Sequence, residues 1–230
     1  MGIYEFAGCV VSYEPLYGLL RRRMETYRSD TERQPDITLD GTKEDYEKLR
    51  KQYPHLSIEE CEYSCAGAEF YMKLLKHQGF MIHASAVEKE GKAYLFSAPS
   101  GTGKSTHAQL WRQTFKGEPI RIINDDKPAV CLQNGVFYAC GTPFSGKTDK
   151  NENRKAPIQG LCMLHRGKTN KIQKITSGEA LPLILPQTLF YGDEEETNLL
   201  LSFLDRFLQS VPVYKMECTC LLYTSDAADE

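Results

Sequence analysis

Residues 98–106 carry the side chains and glycines that proteins use to hold phosphate groups, reading Ala-Pro-Ser-Gly-Thr-Gly-Lys-Ser-Thr. They follow an apolar run at residues 93–97 and precede a segment typical of a helix, so the context is strand, glycine-rich loop and helix. Gly101 and Gly103 let successive backbone amides turn inward towards phosphate oxygens, and the helix adds the positive end of its dipole. This order of elements predicts a phosphate-binding loop.

The polar side chains of the loop fit the same chemistry. Lys104 can reach the β- and γ-phosphates of a nucleotide, and the Ser105 hydroxyl can hold Mg²⁺. The first glycine of the usual motif is Ala98 here, and a chance Gly/Ser turn is the alternative interpretation. The sequence therefore predicts a nucleoside triphosphate site whose binding residues are Ser100, Gly101, Thr102, Gly103, Lys104, Ser105 and Thr106.

Two adjacent acids, Asp125 and Asp126, end a strand-like run that begins at residue 120. Neighbouring carboxylates after a phosphate loop can divide two tasks: one holds Mg²⁺ directly or through water, and the other takes the proton from an attacking hydroxyl. The alternative is a solvent-exposed, capped turn, because acidic turns are common.

Hairpins surround these residues in the predicted order of elements. Residues 80–87 and 92–97 form one hairpin, and a second meets at Asn134-Gly135, a strong hairpin signal. The other expected elements are strands 8–12, 35–39, 120–123, 129–132, 136–139, 160–164, 171–175 and 211–216, and helices 16–27, 66–77, 105–115 and 193–209, with Thr42 and Thr176 as further helix caps. We expect strands 160–164 and 171–175 to pair across a turn, and residues 141–156 to form a mobile active-site loop.

The hairpins argue against a Ras-like or RecA-like layout, in which strands and helices alternate to give a parallel sheet. We expect an α/β fold whose mixed sheet carries antiparallel hairpins around the phosphate loop and is flanked by helices. Residues 1–60 are predicted to be an N-terminal extension packed on the core, and residues 61–219 the nucleotide-binding domain.

The last eleven residues, 220–230, resemble one reading frame of a transposon-end sequencing adapter, so we expect them to be no part of the natural fold and the natural chain to continue past Thr219. This segment holds three acids and no bases, so the formal charge of −3 becomes 0 without it. A near-neutral charge gives no footprint for nucleic acid, and no apolar stretch reaches the roughly 18 residues of a membrane span. With no secretory signal, we expect a cytoplasmic protein that has neither nucleic acid nor a membrane as partner.

The cysteines and the arginine run are predicted to have structural rather than catalytic or metal-binding roles. Cys131, Cys140 and Cys162 lie in apolar strand-like runs and are predicted to be small core residues. Cys61 and Cys65 have no second Cys/His pair at a suitable spacing, so zinc is disfavoured. The basic run at residues 21–23 is interpreted as a solvated helix face.

The order His83, phosphate loop, Asp125-Asp126 resembles the C-terminal domain of HPr kinase/phosphorylase and phosphoenolpyruvate carboxykinase. The loop is especially similar to that of the carboxykinase, and residues 83–87, 124–128 and 141–147 resemble stretches of small stand-alone HPr-kinase-related proteins. The resemblance covers roughly residues 65–218. It implies a carboxykinase-like P-loop fold.

The resemblance also implies roles for individual residues. Asp125 would be the general base, and Asp126 the Mg²⁺-side carboxylate together with Ser105. His83 would support the base or the metal, with Lys104 completing the catalytic set. Lys147 and Arg154 lie in the long polar loop, where they would contact phosphate or acceptor or remain solvated.

The function implied is Mg²⁺- and ATP-dependent transfer of phosphate to a hydroxyl, with Ser or Thr of a protein or peptide as candidate acceptor and GTP as the other candidate nucleotide. The alternative is a nucleotide-binding regulatory module with little or no transfer. The regulatory domain and glycine-rich C-terminal signature of true HPr kinases have no match here, and the carboxykinase substrate domain does not fit within 230 residues. Neither HPr nor oxaloacetate therefore follows as substrate, and the oligomeric state stays open.

Overall fold

The computed structural model describes residues 1–115, 117, 119–189 and 193–219. The α-helices in these ranges are α1 (Gly18–Met24), α2 (Lys43–Gln52), α3 (Ile58–Leu74), α4 (Lys104–Thr114), α5 (Ser177–Ile184) and α6 (Glu194–Ser210). The strands are β1 (Gly2–Phe6), β2 (Cys9–Tyr13), β3 (Ile37–Thr38), β4 (Gly79–Met81), β5 (Ala84–Lys89), β6 (Lys92–Ser97), β7 (Arg121–Asn124), β8 (Ala129–Gln133), β9 (Val136–Cys140), β10 (Lys155–Arg166), β11 (Lys171–Ile175) and β12 (Val213–Cys218). The proposed adapter segment, residues 220–230, lies outside the described residues.

The main sheet is a curled mixed sheet of nine strands, in which β4-β8-β9-β10-β6-β5-β7 is continued from β10 by β12 and β11. Strand β10 runs parallel to β6 and to β12, and the other neighbouring pairs are antiparallel. The predicted α/β class with a mixed sheet is confirmed, as are the hairpins β5–β6 and β8–β9.

The strand directions explain how distant residues meet at one edge of this sheet. Strand β5 is antiparallel to both β6 and β7, so β6 and β7 run in the same direction. The segment after β6, the segment after β7 and the residue before β5 therefore emerge together. These are the glycine-rich loop, the acidic pair and His83.

Helices cover both faces of the main sheet. Successive residues of a strand point to opposite faces, and Leu95 belongs to a buried cluster that includes Phe203 and Phe207 of α6. The next residue, Phe96, belongs to a second cluster beneath α4, where its ring lies 5.2 Å from that of Trp111. Aromatic packing thus fixes the α4 helix and, with it, the end of the glycine-rich loop that leads into it.

Two predicted strand arrangements were wrong. Strand β11 does not pair with β10, because β12 lies between them, parallel to β10 and antiparallel to β11. The predicted single strand 80–87 is broken at residues 82–83, because β4 pairs with β8 whereas β5 pairs with β6 and β7. A change of partner strand interrupts the ladder, and His83 stands in that interruption.

The N-terminal residues add a second, three-stranded sheet, β1-β2-β3, of which β1 was not predicted. Its buried side chains share a cluster with α3 and the main sheet: the Phe6 ring centroid is 4.7 Å from that of Phe70, which is 5.8 Å from that of Phe144. The α3 helix begins at Ile58 rather than residue 66, after a reciprocal cap between Ser57 and Glu60.

Other local predictions held. Thr42 and Thr176 cap α2 and α5 through reciprocal bonds with acids three residues later, and Asp193 caps α6. Cys131, Cys140 and Cys162 are buried in strands, as predicted.

Among the helices of the described residues, none combines the length and the apolar character that a membrane span requires.

We expect Gly141→Ala to destabilise the protein by several kcal/mol, roughly the cost of overpacking a tight site. A Cβ at Gly141 would overlap the backbone oxygen of Glu152, and backbone cannot swing aside as a flexible side chain can. The matched control is Gly178→Ala in α5, where a Cβ meets nothing within 4 Å and helix propensity favours alanine by up to about 1 kcal/mol. Urea unfolding of the three proteins tests this; equal midpoints for the two variants would contradict it.

Candidate functional site

The glycine-rich loop joins the end of β6 to the start of α4, over residues 98–103. Gly101 and Gly103 have positive φ values of 76° and 108°, a region that favours glycine. Gly103 stands immediately before α4, where helix amides without intrahelical partners face outward. The arrangement is a glycine-containing turn that leads directly into the N-terminus of a helix.

Lys104 is 7% exposed and folds back onto its own loop. Its Nζ donates to the carbonyl oxygens of Ala98 at 2.9 Å and Pro99 at 3.4 Å. Burial lowers the pKa of Lys104, and the nearby charges of Asp126 and Asp125 oppose that shift without cancelling it. Both of these hydrogen bonds are to neutral carbonyls, which are weaker partners for a buried ammonium than an anion is.

Asp125 is 3% exposed, and both of its carboxylate oxygens accept hydrogen bonds from hydroxyls. Oδ1 accepts from Ser85 Oγ at 2.8 Å, on the sheet side. Oδ2 accepts from Thr148 Oγ1 at 2.9 Å, on the side of the polar loop. The carboxylate is therefore oriented by the sheet and presents one oxygen to a hydroxyl group.

Asp126 has a different environment from its neighbour. Its Oδ1 lies 3.3 Å from His83 Nε2 and its Oδ2 lies 3.3 Å from Lys127 Nζ. Burial raises the pKa of Asp126, but the hydrogen bond from His83 and the charge of Lys127 outweigh it, so the pKa lies below its ordinary value. Asp126 is thus held as an anion.

His83 is oriented from its other side by the segment after α5. Its Nδ1 lies 3.2 Å from Gln187 Oε1, and its backbone amide donates to the Gln187 carbonyl at 2.7 Å. Since a carboxylate accepts but does not donate, His83 Nε2 carries the proton shared with Asp126. The imidazole links Gln187 to the acidic pair.

A fully buried amide fixes the turn that carries both acids. Asn124 Oδ1 accepts from the backbone amides of Asp126 at 3.0 Å and Lys127 at 2.8 Å. Its Nδ2 donates to the Thr142 carbonyl at 3.1 Å. The Tyr71 hydroxyl in turn forms a hydrogen bond with Thr142 Oγ1 at 2.8 Å.

The glycine-rich loop and the acids border one cleft of about 630 Å³. The residues lining it are Leu19, Arg23, Leu56, Glu60, Tyr63, Ser64, Ser100, Ser105, Asp125, Asp126, Lys127, Ser145, Gly146, Lys147 and Thr148. Residues of α1, of α3 and of the segment before α3 also contribute to the lining. Gly146 approaches Asp126 so closely that a Cβ would lie 2.8 Å from its carboxylate atoms.

Arg23 differs from its interpretation as part of a solvated face. Its side chain is 9% exposed and pairs with Asp149 at 3.1 Å. It also donates to the Gly146 carbonyl at 2.7 Å and stacks on the Tyr63 ring at 4.8 Å from the centroid. Arg23 therefore fastens the polar loop to the N-terminal part of the chain.

The structure brings most of the predicted site residues together. Ser100, Ser105, Asp125, Asp126 and Lys147 line the cleft, and His83 contacts it through Asp126. Gly101, Thr102, Gly103, Lys104 and Thr106 lie in the loop and the first turn of α4.

Arg154 is the exception: it lines a separate pocket of about 320 Å³ with Arg33. It is held there by ion pairs with Glu88 at 2.7 Å and Glu152 at 3.2 Å.

Sequence reasoning missed Asn124, Ser85, Thr148 and Gln187. Asn124 had a local signal, because an Asn directly before a polar turn commonly bonds to amides two and three residues on. Ser85, Thr148 and Gln187 reach the site only through tertiary structure. Within the described residues, no group of three or more His, Cys, Asp or Glu side chains is placed to hold a metal ion.

Of the comparisons with known proteins, the one between structures gives a match and the two between sequences do not. No protein-family model matches the chain, and no curated protein matches it in sequence. Among solved structures it is similar to the Hpr(Ser) kinase/phosphatase from Coxiella burnetii, with 12% identity over 63% of this chain and 91% of that chain, and a TM-score of 0.34. A structural neighbour is thus an HPr kinase/phosphatase, and membership of that family stays a prediction.

We expect Asn124→Ala to reduce the free energy of unfolding by about 2–6 kcal/mol, since two part-buried backbone amides lose their acceptor and each unpaired group costs about 1–3 kcal/mol. The control is Asn153→Ala, whose exposed amide donates to the Glu5 and Thr26 carbonyls and should change stability by about 0.5 kcal/mol or less. Guanidinium unfolding measures both. Equal losses of stability in the two variants would show that the hydrogen bonds of the Asn124 side chain are not a major support of the turn.

Proposed function

We propose that this chain binds Mg-ATP in the cleft and transfers the γ-phosphate to a hydroxyl group, with Ser or Thr of a protein or peptide as the acceptor class. The observation that carries the proposal is the meeting of a glycine-rich loop and a carboxylate pair on one cleft. Phosphoryl transfer relies on groups that position the reactants and on groups that neutralise charge, and the cleft offers candidates for both. GTP is the other nucleotide to be tested.

The phosphate side of the reaction falls to the loop and α4. The amides of the loop and the α4 N-terminus would surround the phosphates, and Lys104 would exchange the Ala98 carbonyl for phosphate oxygens. Lys147 is exposed in the cleft, where its charge would offset that of the transferring group.

The acceptor side falls to Asp125, which would take the hydroxyl proton as general base. Support comes from its geometry, since Oδ2 already accepts a hydroxyl hydrogen bond at 2.9 Å. A base must lie within hydrogen-bond reach of the proton that it removes. Ser85 fixes the orientation of the carboxylate from the sheet.

Asp126 and Ser105 are the residues that we propose to hold Mg²⁺. Both offer oxygen donors on the cleft, and Mg²⁺ is commonly bound by one or two carboxylates together with phosphate oxygens and water. When bound, the ion neutralises charge on the β- and γ-phosphates. His83 is a positioning residue that keeps Asp126 oriented and ionised.

The fold that we propose is the carboxykinase-like P-loop fold of the HPr-kinase-related proteins, spanning residues 61–219. Residues 1–60 would be an extension packed on that domain. A functional part for the extension is supported by Leu19, Arg23 and Leu56, which line the same cleft as Ser100 and Ser105 of the glycine-rich loop and α4.

Lys104→Ala is expected to weaken Mg-ATP binding at least about tenfold, because it removes a cation that charge-assisted bonds to phosphate require. Lys43→Ala, on the exposed face of α2, should bind as the unmodified chain does. Isothermal titration calorimetry with ATP and with GTP measures the affinities. Identical ATP affinity in all three proteins would remove the phosphate-loop assignment.

Asp125→Asn and Asp126→Asn should separate the two carboxylates. The first should keep Mg-ATP binding and slow transfer by roughly 10²–10⁴-fold, the usual contribution of a general base. The second should raise the Mg²⁺ concentration needed for half-maximal activity, because the metal-side charge is lost. Transfer of labelled γ-phosphate to protein and peptide acceptors provides the measurement. Nucleotide binding without transfer, unchanged in both variants, would favour a regulatory nucleotide-binding module instead.

A further inference from the structure

The Thr148 hydroxyl makes the contact with Asp125 that an acceptor hydroxyl would make in the proposed reaction. Its hydroxyl donates to Asp125 Oδ2 at 2.9 Å, while Ser85 holds Oδ1 from the sheet side. A substrate hydroxyl must make that same contact with its general base before transfer. Thr148 also lines the same cleft as Ser100 and Ser105 of the phosphate loop.

The loop that carries Thr148 is fastened at several points. Arg23 donates to the Gly146 carbonyl at 2.7 Å and pairs with Asp149 at 3.1 Å. The Gly146 amide donates to the Tyr63 hydroxyl at 3.0 Å, and Ser145 Oγ donates to Asp149 at 3.1 Å. These contacts on both sides of Thr148 direct its hydroxyl at Asp125, although the residue itself is exposed.

We propose that Thr148 is an internal phosphoryl acceptor, so that the chain phosphorylates itself; this rests on the proposed function. The Thr148 hydroxyl proton passes to Asp125, and the Thr148 oxygen forms a bond to the γ-phosphorus of ATP. The bond between that phosphorus and the β,γ-bridging oxygen breaks, and ADP leaves with the electron pair. The products are phosphothreonine, ADP and one proton, and no oxidant or further reactant is required.

Phosphorylation of Thr148 would end the contact between residue 148 and Asp125. A phosphothreonine carries a charge of about −1.5 to −2 at neutral pH, and it would face the Asp125 carboxylate that had accepted the proton. Like charges at this distance repel, so the modified loop leaves Asp125. The chain therefore accepts one phosphoryl group at this site, and Oδ2 of Asp125 becomes accessible to an external hydroxyl.

The test incubates the full 230-residue chain with Mg²⁺ and γ-labelled ATP and no added acceptor. We expect one phosphoryl group per chain, assigned to Thr148 by peptide mass spectrometry. Because Thr148 contacts the Asp125 of its own molecule, the rate per chain should not depend on protein concentration. Dependence of that rate on concentration would overturn transfer within one molecule.

Variants at the same position make the assignment specific. Thr148→Ser should retain the label and convert it to phosphoserine, whereas Thr148→Val should reduce it to background. Thr114→Val, an exposed threonine at the end of α4, should be labelled as the unmodified chain is. Circular dichroism of each variant checks that the fold is retained.

The failure of this inference and the failure of the proposed function give different results. If ATP binds in a Lys104-dependent manner but residue 148 gains no phosphate, the internal acceptor is wrong and the proposed function stands. Label that persists in Thr148→Val at another residue has the same meaning. If no nucleotide binds, the internal acceptor and the proposed function are both wrong.

Discussion

The buried amide of Asn124 is the interaction on which the geometry of the acidic pair depends. One oxygen accepts from two successive amides of the turn, and the nitrogen is used by the Thr142 carbonyl, so all its hydrogen-bonding capacity is directed at two neighbouring segments. An amide without these partners would be costly at a position with no solvent exposure. The turn after β7 is therefore held against the segment after β9, and this turn sets the directions of the two carboxylates.

From that turn, the acids acquire different properties despite being neighbours in the chain. Asp125 points inward and meets hydroxyls, which are neutral donors. Asp126 points towards His83 and Lys127, whose donors and charge favour the ionised form and keep its pKa low. Adjacent residues at a strand end project in different directions, so one short sequence supplies two environments. This division matches the two tasks of a base and a metal-side carboxylate in the proposed reaction.

The N-terminal part of the chain is connected to this turn by side-chain packing and by an ion pair. Aromatic packing among Phe6, Phe70 and Phe144 joins the small sheet and α3 to the segment that Asn124 holds. Arg23 then extends this contact to the polar loop, where its charge meets Asp149 and its plane lies on Tyr63. The cleft is consequently lined both by the glycine-rich loop and by residues far away in sequence. Its shape depends on both sheets.

The sequence by itself determined the local features: the glycine-rich loop between a strand and a helix, the hairpin at Asn134-Gly135 and the helix caps at Thr42 and Thr176. Each depends on backbone preferences and hydrogen bonds within a few residues, which short patterns record. Tertiary structure alone decided that β12 separates β10 from β11 and that Arg154 turns to Glu88. It also decided that Thr148 meets Asp125. Pairing over long separations depends on how whole faces are buried together, and no local pattern along the chain encodes that choice.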